Sequence, residues 1–142
     1  MAAGYLLDTN VISETRKTRA DKSVIAFLGA ADTVALFLSV LTLGELRKGV
    51  EAKRRTDLAA ADRLGAWVDD IETIFADRVL PVDAATARRW GELSVARNLP
   101  VIDTLIAATA IGHDLTLVTR NTRDVELTGV RFVDPWVLPE LD

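Results

Sequence analysis

Residues 4–10 read Gly4-Tyr5-Leu6-Leu7-Asp8-Thr9-Asn10, a short apolar run that ends on a carboxylate. A few apolar residues bounded by polar ones mark a buried strand. Reading outward, Asn10–Thr15 is a short helix, and Asp21 N-caps a second that runs to about Ala30. Residues 34–40, Val-Ala-Leu-Phe-Leu-Ser-Val, repeat the buried-strand pattern. Thr42 caps the next helix, with Glu45 three positions on as in a capping box. From about Thr56 to Ala76, Leu58, Ala61, Leu64, Trp67, Val68, Ile71 and Ile74 recur at helical spacing. Val79–Val82 is a short strand. Asp83 caps a helix with Ala84, Ala87, Trp90 and Val95 on one broad face, stopped by Asn98 and Pro100. Residues 101–112 are apolar nearly all round, as in a helix buried inside a domain. Leu115–Thr119 is a strand and Arg131–Val133 a marginal one. Strands separated by helices imply a mostly parallel central sheet covered on both faces. The expected fold is a three-layer α/β/α domain that takes up the whole chain, 1–142.

Composition narrows the chemistry. The chain has 0 Cys, which excludes a disulfide scaffold, thiolate zinc sites and cysteine nucleophiles. It has 1 His, His113, which excludes a histidine-pair metal site and a two-histidine ribonuclease. Any metal must be held by oxygen. The net charge of −4 argues against a simple nucleic-acid coat protein, but the charge is uneven. Residues 1–55 carry 9 Lys/Arg against 6 Asp/Glu, whereas residues 56–142 carry 8 against 15. The early basic residues gather at Arg16, Lys17, Arg19 and Lys22 and again at Arg47, Lys48, Lys53, Arg54 and Arg55. They read either as solvated helix ends or as a rim that meets phosphate. No stretch reaches the roughly 18 apolar residues of a membrane span. The N-terminus shows no secretory leader pattern, so the expected location is cytoplasmic.

Four carboxylates stand out by their neighbours. Asp8 ends the first strand, where ligands bind in open parallel sheets; it also suits a helix cap. Asp103 sits in the first turn of the most apolar helix. The helix dipole offers a carboxylate there only ~0.3–1 kcal/mol, against a desolvation cost of several kcal/mol for an unpaired charge. Either a cation offsets the difference or the group still touches water. Glu45 belongs to Leu43-Gly44-Glu45-Leu46, where Gly44 reads as a position that something approaches closely; the alternative for Glu45 is the capping box. Asp124 follows the strand Leu115–Thr119 through Arg120-Asn121-Thr122-Arg123, with Thr119 and Asn121 as polar support, or lies on an ordinary loop. Converging carboxylates repel unless a cation joins them, and all-oxygen donors suit Mg²⁺ or Mn²⁺.

Tyr5-Leu6-Leu7-Asp8-Thr9-Asn10, Leu43-Gly44-Glu45-Leu46, Val101-Ile102-Asp103-Thr104-Leu105-Ile106-Ala107-Ala108 and Val118-Thr119-Arg120-Asn121-Thr122-Arg123-Asp124 resemble the four motifs of PIN-domain nucleases. The chain is similar to the VapC-type toxins of bacterial toxin–antitoxin pairs. The ending Phe132-Val133-Asp134-Pro135-Trp136 resembles their FitB branch. The four motifs occur in order, with their acids 37, 58 and 21 residues apart, and the likeness spans residues 4–137. Val125 departs from the pattern, which often has an aromatic after the fourth acid. The resemblance implies an endoribonuclease dependent on Mg²⁺ or Mn²⁺. Asp8, Glu45, Asp103 and Asp124 match its metal-binding, catalytic acids, and Thr9, Thr119 and Asn121 match its supporting polar positions. Cleavage by a water nucleophile would leave a 5′-phosphate and a 3′-hydroxyl. The resemblance also implies a homodimer and a small antitoxin partner, through which alone DNA would be bound. Arg16, Lys17, Arg19, Arg47 and Lys48 are the candidates to hold the RNA backbone.

Two other readings remain open. A phosphotransferase of haloacid-dehalogenase type also ends its first strand on Asp, but it needs a second Asp where Asn10 stands and a Lys that the Arg120-Asn121-Thr122 loop lacks. A binding module with a spent site would keep the fold without the reaction. His113 reads as a helix-end residue, Trp67 and Trp90 as core residues, and Trp136 as a pin for the last segment.

Overall fold

The computed structural model describes residues 4–95 and 98–137. The elements are β1 (Tyr5–Leu7), α1 (Thr9–Arg16), α2 (Lys22–Ala30), β2 (Leu36–Ser39), α3 (Val40–Arg54), α4 (Leu58–Ile74), β3 (Val79–Leu80), α5 (Ala84–Ser94), α6 (Val101–Gly112), β4 (Thr116–Val118), α7 (Thr122–Glu126) and β5 (Phe132–Val133). The strands form a five-stranded sheet in the order β3-β2-β1-β4-β5, and every pair is parallel. β1 is therefore central, with Leu6 beside both Phe37 and Leu117. No helix among the described residues is long and apolar enough to cross a membrane.

The two-residue side-chain period of a strand builds the three layers. Leu7 and Val118 enter one core with Val11, Val24, Leu46, Val50, Val68 and Ile71, from α1 to α4. Leu6 and Leu117 enter the other, with Ile106, Ala107, Ala110 and Val125 from α6 and α7. The α/β/α sandwich expected from the strand–helix alternation is the observed fold. Its chain leaves β1 toward β2 and returns from β3 to place β4 on β1's other side. The crevice of such a sheet opens at the carboxyl ends of the strands flanking that switch, here β1 and β4.

Local details correct parts of the sequence reading. The second strand begins at Leu36, because Asp32 caps a single 3₁₀ turn over Thr33–Ala35 by accepting from the Val34 N–H at 3.2 Å. Thr42 is not a helix cap. Ser39 is, its hydroxyl accepting from the Leu41 N–H at 3.0 Å, so the capping box with Glu45 does not form. Ser39 and Val40 read as the end of the strand, but Val40 is already the first residue of α3. Val95 is 88% exposed and contributes nothing to a core. His113 does end α6, and Asp114 (φ 54) then turns the chain toward β4. Because Ser39 is wholly buried, Ser39→Ala removes a cap with no water to replace it. The expected loss is about 1 kcal/mol, seen as a melting temperature lower by about 2–5 °C.

Candidate metal centre

The crevice edge is built from strand ends and helix starts. Asp8 follows β1 directly, and its own N–H continues the ladder to the Val118 carbonyl at 2.9 Å. That bond fixes the backbone at 6% exposure of the residue. Asp8 does cap α1, since Oδ1 accepts from the Thr9 N–H at 2.8 Å. Oδ2 accepts from the Thr119 hydroxyl at 2.7 Å, across 111 residues of sequence, and from Asn10 Nδ2 at 3.5 Å. The capping and crevice readings are thus one geometry.

Thr119 ends β4 and is wholly buried. Its Oγ1 also accepts from the Asn121 N–H at 3.0 Å, which sets the following loop. The Asn121 side chain then donates to Asp103 Oδ2 at 2.8 Å and to Asp124 Oδ2 at 3.2 Å. Asp103 lies in the first turn of α6 and Asp124 in the first turn of α7. On the other flank, the Thr9 hydroxyl donates to Glu45 Oε1 at 2.5 Å and lies 3.2 Å from Thr42 Oγ1. Glu45 therefore faces α1, not its own helix terminus. Among the described residues no atom closely approaches Gly44, where an added Cβ meets nothing within 4 Å.

The electrostatics follow from this crowding. Burial raises the Asp8 carboxyl above its ordinary range. The Thr119 and Thr9 hydrogen bonds oppose that, while the charges of Asp103 and Glu45 add to it. Burial likewise raises Asp103, opposed by Asn121 and reinforced by Glu45 and Asp124. None of the four acids forms an ion pair among the described residues. An uncompensated all-oxygen donor set of this kind fits a hard divalent cation. Among the described residues no three acidic or histidine side chains are gathered as a ligand group. Mg²⁺ in particular is held by one or two carboxylates, with waters and substrate phosphate completing its octahedron. A four-acid cage is therefore not the arrangement seen; it is a chain of carboxylates joined through Thr9, Thr119 and Asn121.

The basic candidates are spread differently. Arg47 reaches α4 and pairs with Asp69 and Glu72, and Lys17 pairs with Glu14 at 2.8 Å. Arg16, Arg19 and Lys48 are exposed and form no ion pair among the described residues. Sequence reasoning left out Arg120, which precedes Asn121 and stacks 4.8 Å above the Trp136 ring. Its position directly after an apolar strand was the available signal.

A parallel sheet of this order, with acids strung along its carboxyl edge, defines a class. The chain belongs to the PIN-domain family, whose model, described as PIN domain, matches residues 5–129. It is 36% identical over 140 residues to the VapC ribonuclease Y4jK of Sinorhizobium fredii, covering 92% of this chain and 96% of that one. It is 34% identical over 140 residues to the toxin FitB of Neisseria gonorrhoeae, covering 92% and 97%. A chain of the crystal structure of FitAcB from Neisseria gonorrhoeae superposes with a TM-score of 0.87 at 32% identity, covering 94% of this chain and 99% of that one.

Proposed function

We propose that the chain is an endoribonuclease dependent on Mg²⁺ or Mn²⁺, the toxin of a toxin–antitoxin pair. The observation that carries this reading is the linked set Asp8–Thr119–Asn121–Asp103, with Asp124 and Glu45 beside it, on the carboxyl edge of the sheet. Relatives named as VapC ribonuclease and as toxin support it. Asp8 and Asp103 hold the cation directly; Glu45 and Asp124 complete the site directly or through water. When bound, the cation supplies charge neutralisation at the scissile phosphate and acidifies a water. Thr119 orients Asp8, Asn121 spaces Asp103 from Asp124, and Thr9 aims Glu45. His113 lies ten residues beyond Asp103 along α6, roughly 15 Å by helical rise, so no histidine serves as acid or base. Cleavage then leaves 5′-phosphate and 3′-hydroxyl ends with no cyclic phosphate.

The acids repel RNA unless cations flank them. Arg16, Arg19 and Lys48 are free to do this, while Lys17 shares its charge with Glu14 and Arg47 shares its own with Asp69 and Glu72. The partner is a small antitoxin, a reading supported by the similarity to a solved member of the VapBC family of toxin–antitoxin systems from Mycobacterium tuberculosis and by the FitAB structure bound to a DNA fragment, with DNA contacts left to that partner. The working unit is a homodimer in the cytoplasm. The test is end-mapping of purified RNA after incubation with the chain and Mg²⁺ or Mn²⁺. Metal-dependent cuts with 5′-phosphate ends support the reading; 2′,3′-cyclic ends, or no cleavage with either metal, overturn it. Thr119→Val tests the positioning role, with an expected loss of about 10–100-fold in cleavage. Thr119→Ser keeps the hydroxyl and is expected to restore most of the rate.

A further inference from the structure

A cleft of about 340 Å³ lies against the acidic edge, between α1, α3 and α4. Thr9 and Glu45 line it, so it is continuous with the carboxylate chain. Leu46 and the half-buried Trp67 give it an apolar wall, and the exposed Arg16 gives it a cationic rim, with Lys17 beside it paired to Glu14. Gly49 lines it from the middle of α3. Glycine is among the poorest helix formers, yet a Cβ built at Gly49 meets no atom of the described residues within 4 Å. No contact among them requires glycine there, and a side chain would project into space that the cleft leaves open.

We propose that this cleft seats a nucleobase of the RNA next to the bond to be cut, and that Gly49 keeps the space clear. The proposal rests on the ribonuclease reading and adds a base-binding pocket to it. The occupant must be flat or apolar in its body and anionic at one end, because the wall is apolar and the rim is cationic. A nucleotide has both properties, and base stacking on an aromatic wall tolerates any sequence. An anionic end fits Arg16, which has no ion-pair partner among the described residues and lines the cleft from α1, apart in sequence and element from Glu45 on α3. The volume sits at the small end of the range of about 300–1,000 Å³ for small-ligand sites. The Ser13 hydroxyl, also on the lining, offers a donor and an acceptor to a base edge.

The test is Gly49→Ala and Gly49→Leu, assayed on an oligoribonucleotide with a mapped cut and on copies with one abasic nucleotide beside it. Both variants are expected to melt no lower than the parent, and both keep its shift in melting temperature on adding Mn²⁺. Cleavage of the intact RNA falls with side-chain size, by about 10–100-fold for Gly49→Leu. The abasic substitution slows the parent by a similar factor and leaves Gly49→Leu little changed. Gly49→Leu cutting at the parent rate overturns the proposal while the ribonuclease reading stands. If that variant also escapes inhibition by a co-expressed antitoxin, the cleft belongs to the protein partner instead. A loss of the Mn²⁺ shift places the effect on the acids and also overturns it. A parent that cuts no RNA overturns both readings.

Discussion

Asp8→Asn is expected to lower metal-dependent RNA cleavage by at least ~10²–10³-fold, the scale of removing one transition-state charge partner, while the chain stays folded. The geometry explains why the two effects separate. An Asn oxygen at position 8 still accepts from Thr9 or Thr119, and Asn caps helices as well as Asp does. The charge is removed, and one of the two acceptor oxygens becomes an amide donor. Without a divalent cation that removal is stabilising near neutral pH, and the sign follows from linkage. Burial raises the folded-state value of Asp8, so the folded chain binds this proton more tightly than the unfolded chain. The corresponding stability is present below the ordinary carboxylate range and is lost as pH rises through the raised value. In chelator, the parent therefore loses more stability than Asp8→Asn between acid and neutral pH. Asp103→Asn behaves alike, because burial raises that group too. Melting curves across pH, beside cleavage assays on the same preparations, check both halves. A variant that still cuts RNA at the parent rate removes Asp8 from the reaction.

Mn²⁺ at about 100 times its dissociation constant is expected to raise the melting temperature of the parent by about 5–14 °C. Ligand binding to the folded state alone contributes about 2.7 kcal/mol at that ratio, and each kcal/mol moves a domain of this size by about 2–5 °C. The same addition is expected to move Asp8→Asn and Asp103→Asn by less than a third as much. The contrast is steep because burial first, and neighbouring carboxylates second, raise Asp8 and Asp103, and a bound cation offsets both. Ca²⁺ in place of Mn²⁺ separates stabilisation from chemistry, since its looser coordination occupies oxygen sites without the octahedral geometry that smaller cations demand. Equal shifts in parent and variants would mean that the ion binds elsewhere.

The sheet and its layers were legible because burial and strand period act together. Tyr5–Leu7 and Thr116–Val118 are apolar on both faces, as only a strand covered on both sides can be. Asp8 and Asp103 were legible as candidates for a related reason, since each stands beside an apolar run where a charge needs an explanation, whereas Glu45 and Asp124 have polar residues close by and stood out through the order of the four motifs. What stayed hidden was which donors would hold them. Nothing local to Thr119 states that its hydroxyl meets Asp8 from 111 residues away. Thr9 reads as part of a helix start, yet its hydroxyl serves Glu45 on α3. The true cap of α3, Ser39, was masked because apolar residues flank it on both sides, residues 36–38 before it and Val40-Leu41 after it. Arg47 reads as a free cation, because its partners Asp69 and Glu72 lie on another helix and follow no short-range rule. Gly49 reads as a weak point in a helix; only the cleft beside it gives the residue a use.

The central claim is that Asp8 and Asp103 share a divalent cation. Its most direct test is anomalous diffraction from crystals grown with Mn²⁺. The account predicts a manganese peak bridging the two carboxylates at about 2.0–2.2 Å from an oxygen of each, with Asn121 still bonded to Asp103. A peak seated elsewhere on the chain, or no peak at this edge at saturating Mn²⁺, would contradict it.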